Sequence, residues 1–156
     1  MTVKMNARDA VHGALAECYV TLGENRYNMM QIYEFTSKYE VNLTQVPILG
    51  SVSRGNKAAG GKGTWFGTAH YNQSVLRAWL LHYKNTGALV PFDIQVSNED
   101  PTSAAGRQTI IHYGCLLDAL VLAKFDSADE VLDEKISGTF DDWDMPEAFA
   151  PLAGMQ

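Results

Sequence analysis

The sequence predicts a mainly β protein with one flanking α-helix, built as a β-sandwich or barrel. Short apolar runs alternate with polar residues and end at turn residues, a pattern typical of strands. Only one segment, at about residues 73–86, has the spacing of an amphipathic helix. Many strands with a single helix favour a sandwich or barrel that carries the helix on its outside. A chain of 156 residues suits one domain.

The predicted organisation has three parts, an arm over residues 1–13, a β domain over 14–149 and a tail over 150–156. The arm has no periodicity up to Ala7, and Gly13 precedes the first regular pattern. No internal repeat and no linker divides the domain.

The first strands are predicted from turn composition and alternation. Residues 14–22 have strand character, and residues 23–26, Gly-Glu-Asn-Arg, have the composition of a hairpin turn. From residue 27 to 43, apolar and polar residues alternate with period two, far beyond the usual strand length of about five or six residues. Such a strand bends or extends beyond its own domain to pair with another subunit. The alternative is two strands broken by a bulge near Ser37.

The next segment, residues 46–63, is predicted to be a long, basic, glycine-rich loop. Loops longer than about 12–15 residues are usually functional or disordered. A phosphate-binding loop is rejected, because counting from Gly55 puts Gly61 where lysine is required and Lys62 comes one residue late. A strand at 64–71, and no helix, follows the loop. The function that remains for its basic residues is contact with an acidic surface.

The helix at about residues 73–86 is predicted from one apolar stripe. The stripe consists of Val75, Leu76, Trp79, Leu80 and Tyr83. Asn72 or Ser74 can cap its start, and Gly87 fits the position after its end. Strand-like segments follow at about 89–98, 106–117, 119–125 and 130–140.

No catalytic, metal or cofactor site is predicted. The histidines lack partners at ligand spacing, and no serine lies in a Gly-x-Ser-x-Gly motif. The carboxylates considered as a catalytic pair are Asp93, Glu99, Asp100 and Asp118. Residues 98–102, Asn-Glu-Asp-Pro-Thr, have the composition of a turn, which explains two of them. We therefore expect a protein that is not an enzyme and needs no cofactor.

Cysteine usage and apolar runs bear on the compartment. Cys18 and Cys115 lie in no Cys-x-x-Cys motif and have no histidine at metal-site spacing. They are interpreted as buried thiols in a reducing cytoplasm. The longest apolar run is too short to span a bilayer, and the N-terminus makes a poor signal peptide. We expect a cytoplasmic protein with no membrane anchor.

Charge is distributed unevenly along the chain. The net charge of −6, from 12 basic and 18 acidic residues, disfavours a general nucleic-acid binder, which would carry a basic face. Half of the carboxylates lie within residues 126–147, where only Lys135 opposes them. Three interpretations stay open: a solvated face and tail, a surface that meets the basic loop of another copy, or a surface that repels phosphate. The candidate acidic positions are Asp126, Asp129, Glu130, Asp133, Glu134, Asp141 and Asp142.

Five short strings carry a family resemblance. They are VPILG at 46–50, GNK at 55–57, NEDPTS at 98–103, GRQT at 106–109 and GTFDDWD at 138–144. With the sequence around them they resemble the tail tube protein family of contractile-tailed phages and phage-like prophage elements. The resemblance extends from about Tyr27 to Phe149.

The resemblance implies a β-sandwich or barrel tail-tube fold with a long extended loop. Six copies would form a ring, and rings would stack into a hollow tube through which double-stranded DNA passes without specific binding. Implied partners are further copies of the chain and sheath, baseplate or tube-initiator, tape-measure and tail-terminator proteins. The tube would belong to a virion tail assembled in the bacterial host cytoplasm.

The same resemblance gives the candidate residues their roles. The loop residues expected at contacts between subunits or rings are Arg54, Asn56, Lys57 and Lys62. The acidic positions listed above would face the lumen or form a complementary acidic surface.

Two other functions fit parts of the pattern. One is the stacked hexameric ring protein of a related contractile injection or secretion system. The other is a monomeric β-barrel binding module or enzyme that uses the glycine loop as a lid. A monomer would have to protect the long edge strand, in which Lys38 is the one protective residue. The local strings favour the phage family.

Overall fold

Strands form most of the regular structure of residues 2–156, the part of the chain that the computed structural model describes. In chain order the elements are β1 Ala16–Leu22, β2 Asn25–Asn28, β3 Ile32–Val46, β4 Gly55–His70, α1 Val75–Thr86, β5 Phe92–Glu99, β6 Arg107–Leu120, β7 Asp133–Phe140 and β8 Asp142–Glu147. A short 3-10 turn at Ala7–Asp9 precedes them. Met1, the first residue of the predicted arm, lies outside the described residues.

The strands form two antiparallel sheets that share β6. The first part of β6 pairs with β5 and β8, and its last part, residues 116–120, pairs with β7. Gly114, with a φ of 66°, lies near the end of the first part, where the ladder with β5 is irregular. We call β2-β1-β5-β6-β8 sheet A and β6-β7-β4-β3 sheet B. The predicted β-sandwich or barrel with one helix is confirmed.

The hydrophobic core fills the space between the two sheets and beneath α1. Its buried members are Val20, Leu22, Met29, Trp65, Leu76, Phe92, Ile94, Cys115, Leu117, Ile136 and Phe140. Trp65 is the largest of them, and its indole N–H donates to the carbonyl of Thr139 at 3.1 Å. The polar group of the largest core side chain is therefore hydrogen-bonded to the neighbouring strand, β7.

Helix α1 ends as its sequence predicts. Gly87 has a φ of 76°, and its N–H donates to the carbonyl of Tyr83 at 2.7 Å. This left-handed residue satisfies a carbonyl of the last turn. At the other end, Ser74 is in the capping position without a side-chain hydrogen bond, and the helix begins at Val75, two residues later than predicted.

The long alternating segment is divided differently from either prediction. It consists of β2 and β3, separated at residues 29–31, where the N–H of Ile32 donates to the carbonyl of Met29 at 3.1 Å. The ladder of β3 with β4 is irregular between Ile32 and Glu34 and between Val41 and Leu43, whereas Ser37 pairs regularly with Trp65. A bulge near Ser37 is therefore wrong.

The predicted loop over 46–63 is wrong in its second half, because β4 begins at Gly55. The connection consists of residues 47–54 alone. Periodicity could not reveal this strand, since glycines display no side-chain pattern. Aromatic rings cover two of those glycines: a Cβ on Gly61 would lie 2.1 Å from the Tyr39 hydroxyl, and one on Gly63 would lie 2.4 Å from the Phe140 ring.

The predicted turn at 98–102 also anchors the N-terminal arm. Asp100 accepts hydrogen bonds from the N–H and hydroxyl of Thr102 and from the N–H of His12. These hydrogen bonds, those from Thr102 first, lower the pKa of the Asp100 carboxyl. The hydroxyl of Ser103 donates to the carbonyl of Asp9, 2.9 Å away. The arm therefore lies against the β5–β6 connection.

Both cysteines are free thiols, Cys115 buried and Cys18 half-buried. Burial raises the pKa of each thiol to about 12. At neutral pH both are protonated and unreactive.

His112 on β6 connects the two sheets from inside the core. Its Nδ1 donates to the carbonyl of Ile94 at 2.9 Å, and its Nε2 accepts from the hydroxyl of Ser37 at 2.7 Å. Phe35 and Phe140 pack edge-on against the imidazole ring. Only the neutral ring can both donate and accept in this way. Burial lowers the pKa of His112 from 6.5.

We expect the free energy of unfolding to fall as the pH is lowered from 6.5 towards the depressed pKa of His112. In that window the unfolded chain binds the proton that the folded chain excludes, with a slope of at most about 1.4 kcal/mol per pH unit from this group. Urea titrations of His112→Gln should lack this part of the pH dependence. The matched control, His82→Gln on the exposed face of α1, should retain it. Equal slopes in the two variants would contradict the assignment.

Candidate assembly surface: the β3–β4 hairpin

Half of the β3–β4 hairpin extends beyond the sheet. Strand β4 pairs with β7 only from Gly63 to His70. Residues 55–62 of β4 pair with β3 alone, up to the pair of Val46 with Gly55. At about 3.4 Å per residue this two-stranded extension is roughly 25 Å long. We call residues 39–62 the hairpin arm; both of its backbone edges are open in the single chain.

One face of the hairpin arm is apolar and exposed. Tyr39, Val41 and Leu43 follow one another on β3, and each side chain is about half exposed or more. They continue the side of β3 on which Phe35 packs against the core. The face thus begins as core and ends as uncovered apolar surface. Trp143 of β8 lies beside Tyr39, with ring centroids 6.1 Å apart.

A bulge at Gly60 twists the arm. Between the pairs Val41–Gly61 and Leu43–Ala58, β4 contains one residue more than β3. Gly60 has a φ of 98°, a conformation that L side chains rarely adopt. The extra residue keeps the apolar side chains of β3 on one face while it bends β4.

The tip of the hairpin arm presents two aliphatic side chains to solvent. Leu49 and Val52 have relative exposures of 104% and 105%, higher than any other large apolar side chain described. Gly50 between them has a φ of 82°, and the hydroxyl of Ser51 donates to the carbonyl of Ser53 at 2.9 Å. The turn is therefore ordered by its own hydrogen bonds and directs apolar groups outward.

The arm is basic on its other face. No aspartate or glutamate occurs between residues 41 and 92. Of the predicted contact residues, Arg54, Asn56 and Lys57 lie at or just before the start of β4, whereas Lys62 lies at the base of the arm, opposite Glu40. Lys38 pairs with Glu40 at 2.8 Å, and Lys38 first and then Lys62 lower the pKa of Glu40.

The predicted acidic positions do not form one continuous surface. Asp126, Asp129 and Glu130 lie exposed in the β6–β7 connection. Asp133 opens β7, where it accepts a hydrogen bond from the Tyr33 hydroxyl at 2.9 Å. Asp141 and Asp142 lie at the opposite end of β7, at the corner between β7 and β8.

Glu134 is not a surface residue. Its side chain is only 7% exposed and forms an ion pair with Arg77 of α1, which is 17% exposed. Arg77 also donates to the carbonyls of Val121 and Gln73 and stacks on the ring of Tyr71. The pair binds the helix to sheet B, so an acidic surface can include only the other six candidates.

Sequence reasoning missed Leu49 and Val52 at the tip. The available signal was that apolar residues stood among glycine, serine and proline, where no strand or helix would bury them. Among residues 2–156, no three metal-ligating side chains converge on a possible ion site. None of the helices described has the length and apolarity to cross a bilayer.

Residues 3–147 match the family described as phage tail tube protein. The chain belongs to the phage tail tube protein family. This tail tube protein is 29% identical over 119 residues to protein XkdM of the phage-like element PBSX of Bacillus subtilis (strain 168), a match that covers 76% of this chain and 81% of XkdM. Protein YqbM of the same organism, which is uncharacterized, matches with the same identity and coverage. Family membership makes the chain a structural subunit of a phage or phage-like tail tube.

Solved structures with the same fold come from several tail-like particles. A chain in the anti-feeding prophage baseplate superposes with a TM-score of 0.63 at 12% identity, covering 93% of this tail tube protein and 97% of that chain. A chain in the PVC sheath-tube complex in its extended state gives 0.62 at 12%, covering 84% and 88%. The SPP1 tail tube gives 0.62 at 7%, covering 87% and 78%. These likenesses confirm the tail-tube fold.

Removing one partner of the buried ion pair should destabilise this tail tube protein. Glu134→Ala leaves Arg77 charged and uncompensated, and we expect the free energy of unfolding to fall by about 3–5 kcal/mol. Glu130→Ala, in the exposed connection nearby, should change it by less than about 0.5 kcal/mol. Chemical denaturation monitored by circular dichroism measures both. Equal effects from both substitutions would show that the Arg77–Glu134 pair does not hold the helix.

Proposed function

We propose that this tail tube protein assembles into hexameric rings that stack into a hollow tube for the passage of double-stranded DNA. The observation that supports this most is the hairpin arm, which leaves the sheet as a two-stranded ribbon with both edges open. An isolated two-stranded ribbon is at best marginally stable in water. An arm with an apolar face and open edges is therefore suited to burial against other copies.

Closure of the sheet around a ring would remove the open edges. Strand β3 is the outer strand of sheet B and exposes unpaired N–H and carbonyl groups along its length. A monomer protects such an edge with charges, prolines or shortened strands. Strand β3 is long, with 15 residues, and has no proline; its charged residues are Glu34, Lys38 and Glu40. Pairing across subunits into a continuous barrel satisfies the same groups.

We propose that the outer face of sheet B lines the channel. Cross-strand partners place Thr36, Phe66 and Ser137 on this face, opposite to buried Trp65. Its charged members balance: Glu34, Glu40 and Asp118 against Lys38, Lys62 and Lys135. A face rich in hydroxyls and without net positive charge gives DNA no counterion release to reward binding. DNA would therefore slide past rather than adhere.

The acidic candidates that remain exposed would form the outer, complementary surface. Asp126, Asp129 and Glu130 lie exposed in the β6–β7 connection. We propose them as a contact for basic surfaces of other tail proteins. The partners we propose are sheath, baseplate or tube-initiator, tape-measure and tail-terminator proteins, in particles assembled in the bacterial host cytoplasm. The role is architectural and not enzymatic.

The test of the proposed function is negative-stain electron microscopy of the purified protein over a range of concentrations, beside sedimentation velocity. Hollow tubes or six-fold rings are the expected result, with addition of baseplate components as nucleus where the protein alone stays unassembled. A species that remains monomeric under both conditions would contradict the proposal and favour a monomeric binding module.

Removing the aliphatic groups at the tip should block assembly without unfolding the subunit. Leu49 and Val52 contribute nothing to the core of the single chain, so Leu49→Ser/Val52→Ser should keep its thermal midpoint. If both groups are buried in the tube, their loss costs at least about 3 kcal/mol and raises the critical concentration about 100-fold. Turbidity and electron microscopy measure this.

The matched control removes two exposed apolar side chains elsewhere. Leu122→Ser/Phe125→Ser changes residues of the β6–β7 connection that are 70% and 93% exposed. We expect normal tubes from this variant. A tip variant that assembles as readily as the control would show that the tip is not an assembly contact.

A further inference from the structure

Two aromatic rings lie over the base of the hairpin arm, on the inner side of sheet B. Tyr39, Gly63 and Phe140 are cross-strand partners there. A Cβ on Gly63 would lie 2.4 Å from the Phe140 ring, so this ring occupies the space above Gly63. The Tyr39 ring lies over Gly61 instead, where a Cβ would lie 2.1 Å from its hydroxyl oxygen. Tyr39 therefore extends along β4 in the direction of the tip.

The Tyr39 ring also contacts the other sheet. It lies beside Trp143 of β8, with ring centroids 6.1 Å apart and planes inclined at 53°. Trp143 pairs with His112 of β6, and cross-strand partners share a face, so its ring lies on the inner side of sheet A. Tilted aromatic pairs at this distance stabilise beyond the apolar area that they bury. The contact thus joins the arm, which continues sheet B, to the edge strand of sheet A.

Strand β8 adds no buried side chain to the core, since all six of its residues are exposed. It pairs with β6 alone. Pro146 and three carboxylates protect it against further pairing, as is common for edge strands. The aromatic contact that it makes within residues 2–156 is the one between Trp143 and Tyr39. Strand β8 is therefore a protected edge strand that holds one ring against the arm.

The base of the arm is built to bend. Gly60, Gly61 and Gly63 follow one another closely in β4, and Gly60 has a φ of 98°. Glycine restricts the backbone less than any other residue, and a two-stranded ribbon without further contacts is only marginally stable. From Gly55 to Lys62, β4 is paired with β3 alone. A contact to the opposite sheet is therefore needed to fix the direction of the arm.

We propose that the Tyr39–Trp143 contact is a latch that fixes the direction of the hairpin arm in the free subunit. Gly61 belongs to the latch, because a side chain there would displace the Tyr39 ring. The latch preorganises the arm, so that assembly does not have to select one direction among many. This consequence for assembly rests on the proposed function, whereas the latch itself is a property of the single chain.

Two spin labels on the unassembled subunit report the direction of the arm. One is attached to Val52→Cys at the tip and the other to Ala78→Cys on the exposed side of α1. The background is Cys18→Ala, because Cys18 is half-buried while Cys115 is buried. Double electron–electron resonance then gives the distribution of distances between tip and helix, at concentrations where sedimentation velocity detects no larger species.

We expect a narrow distribution for the labelled parent and one at least about twofold broader for Tyr39→Ala and for Trp143→Ala. Gly61→Ala should broaden it as well, although both rings remain, because the new methyl group displaces Tyr39. Tyr39→Phe keeps the ring and should keep the narrow distribution. A broad distribution in the parent, or equal widths in the parent and Trp143→Ala, would overturn the latch.

The matched control is Phe66→Ala, which removes an aromatic ring from the other face of β4. Phe66 is 45% exposed, close to the 47% of Tyr39 and the 43% of Trp143. The control should leave the distribution narrow, and broadening equal to that of Trp143→Ala would overturn the latch. Tyr39→Ala/Trp143→Ala should be no broader than either single variant, since each opens the same contact. Circular dichroism and thermal melts check that each variant remains folded.

Assembly measured on the same variants separates this inference from the proposed function. Gly61→Ala should raise the concentration needed for tubes several-fold, up to about tenfold, because fewer arms have the correct direction. Tubes at the wild-type concentration from Gly61→Ala with a broadened arm would overturn the preorganisation and leave the tube. Broadening by Trp143→Ala in a protein that forms no tubes would support the latch and count against the proposed function.

Discussion

The backbone ladder between β3 and β4 is the constraint on which the other features depend. Its first half places Phe35 and Trp65 in the core, and its second half carries the hairpin arm away from the sheet. Glycine allows the close approach of these two strands: a Cβ on Gly67 would lie 2.5 Å from the carbonyl oxygen of Glu34. Because one continuous ladder joins both halves, the packing of the core also sets the direction of the arm.

Two buried polar contacts join the layers that the hydrophobic core brings together. His112 connects sheet A to β3 through Ile94 and Ser37, and Arg77 with Glu134 connects α1 to sheet B. Polar groups buried in this way are costly unless every partner is present. They therefore favour one relative placement of the sheets and the helix over slipped alternatives.

A subunit of a self-assembling tube needs surfaces that are incomplete alone and complementary to one another. The hairpin arm has open edges and an exposed apolar face in the single chain. The excess of acidic charge lies elsewhere, in the β6–β7 connection and at the β7–β8 corner. The hairpin arm and the excess of negative charge therefore lie in separate parts of the chain.

The sequence by itself determined the fold class, the helix end at Gly87 and the turn around Asp100, because local patterns and special conformations specify them. It also determined the family, because the short strings that carry the resemblance can be identified without knowing the fold. Only the tertiary structure decided that residues 55–63 are a strand, since glycines form strands when a partner supplies the ladder. It likewise decided the burial of Glu134, because a carboxylate leaves the surface only when packing brings a guanidinium to it.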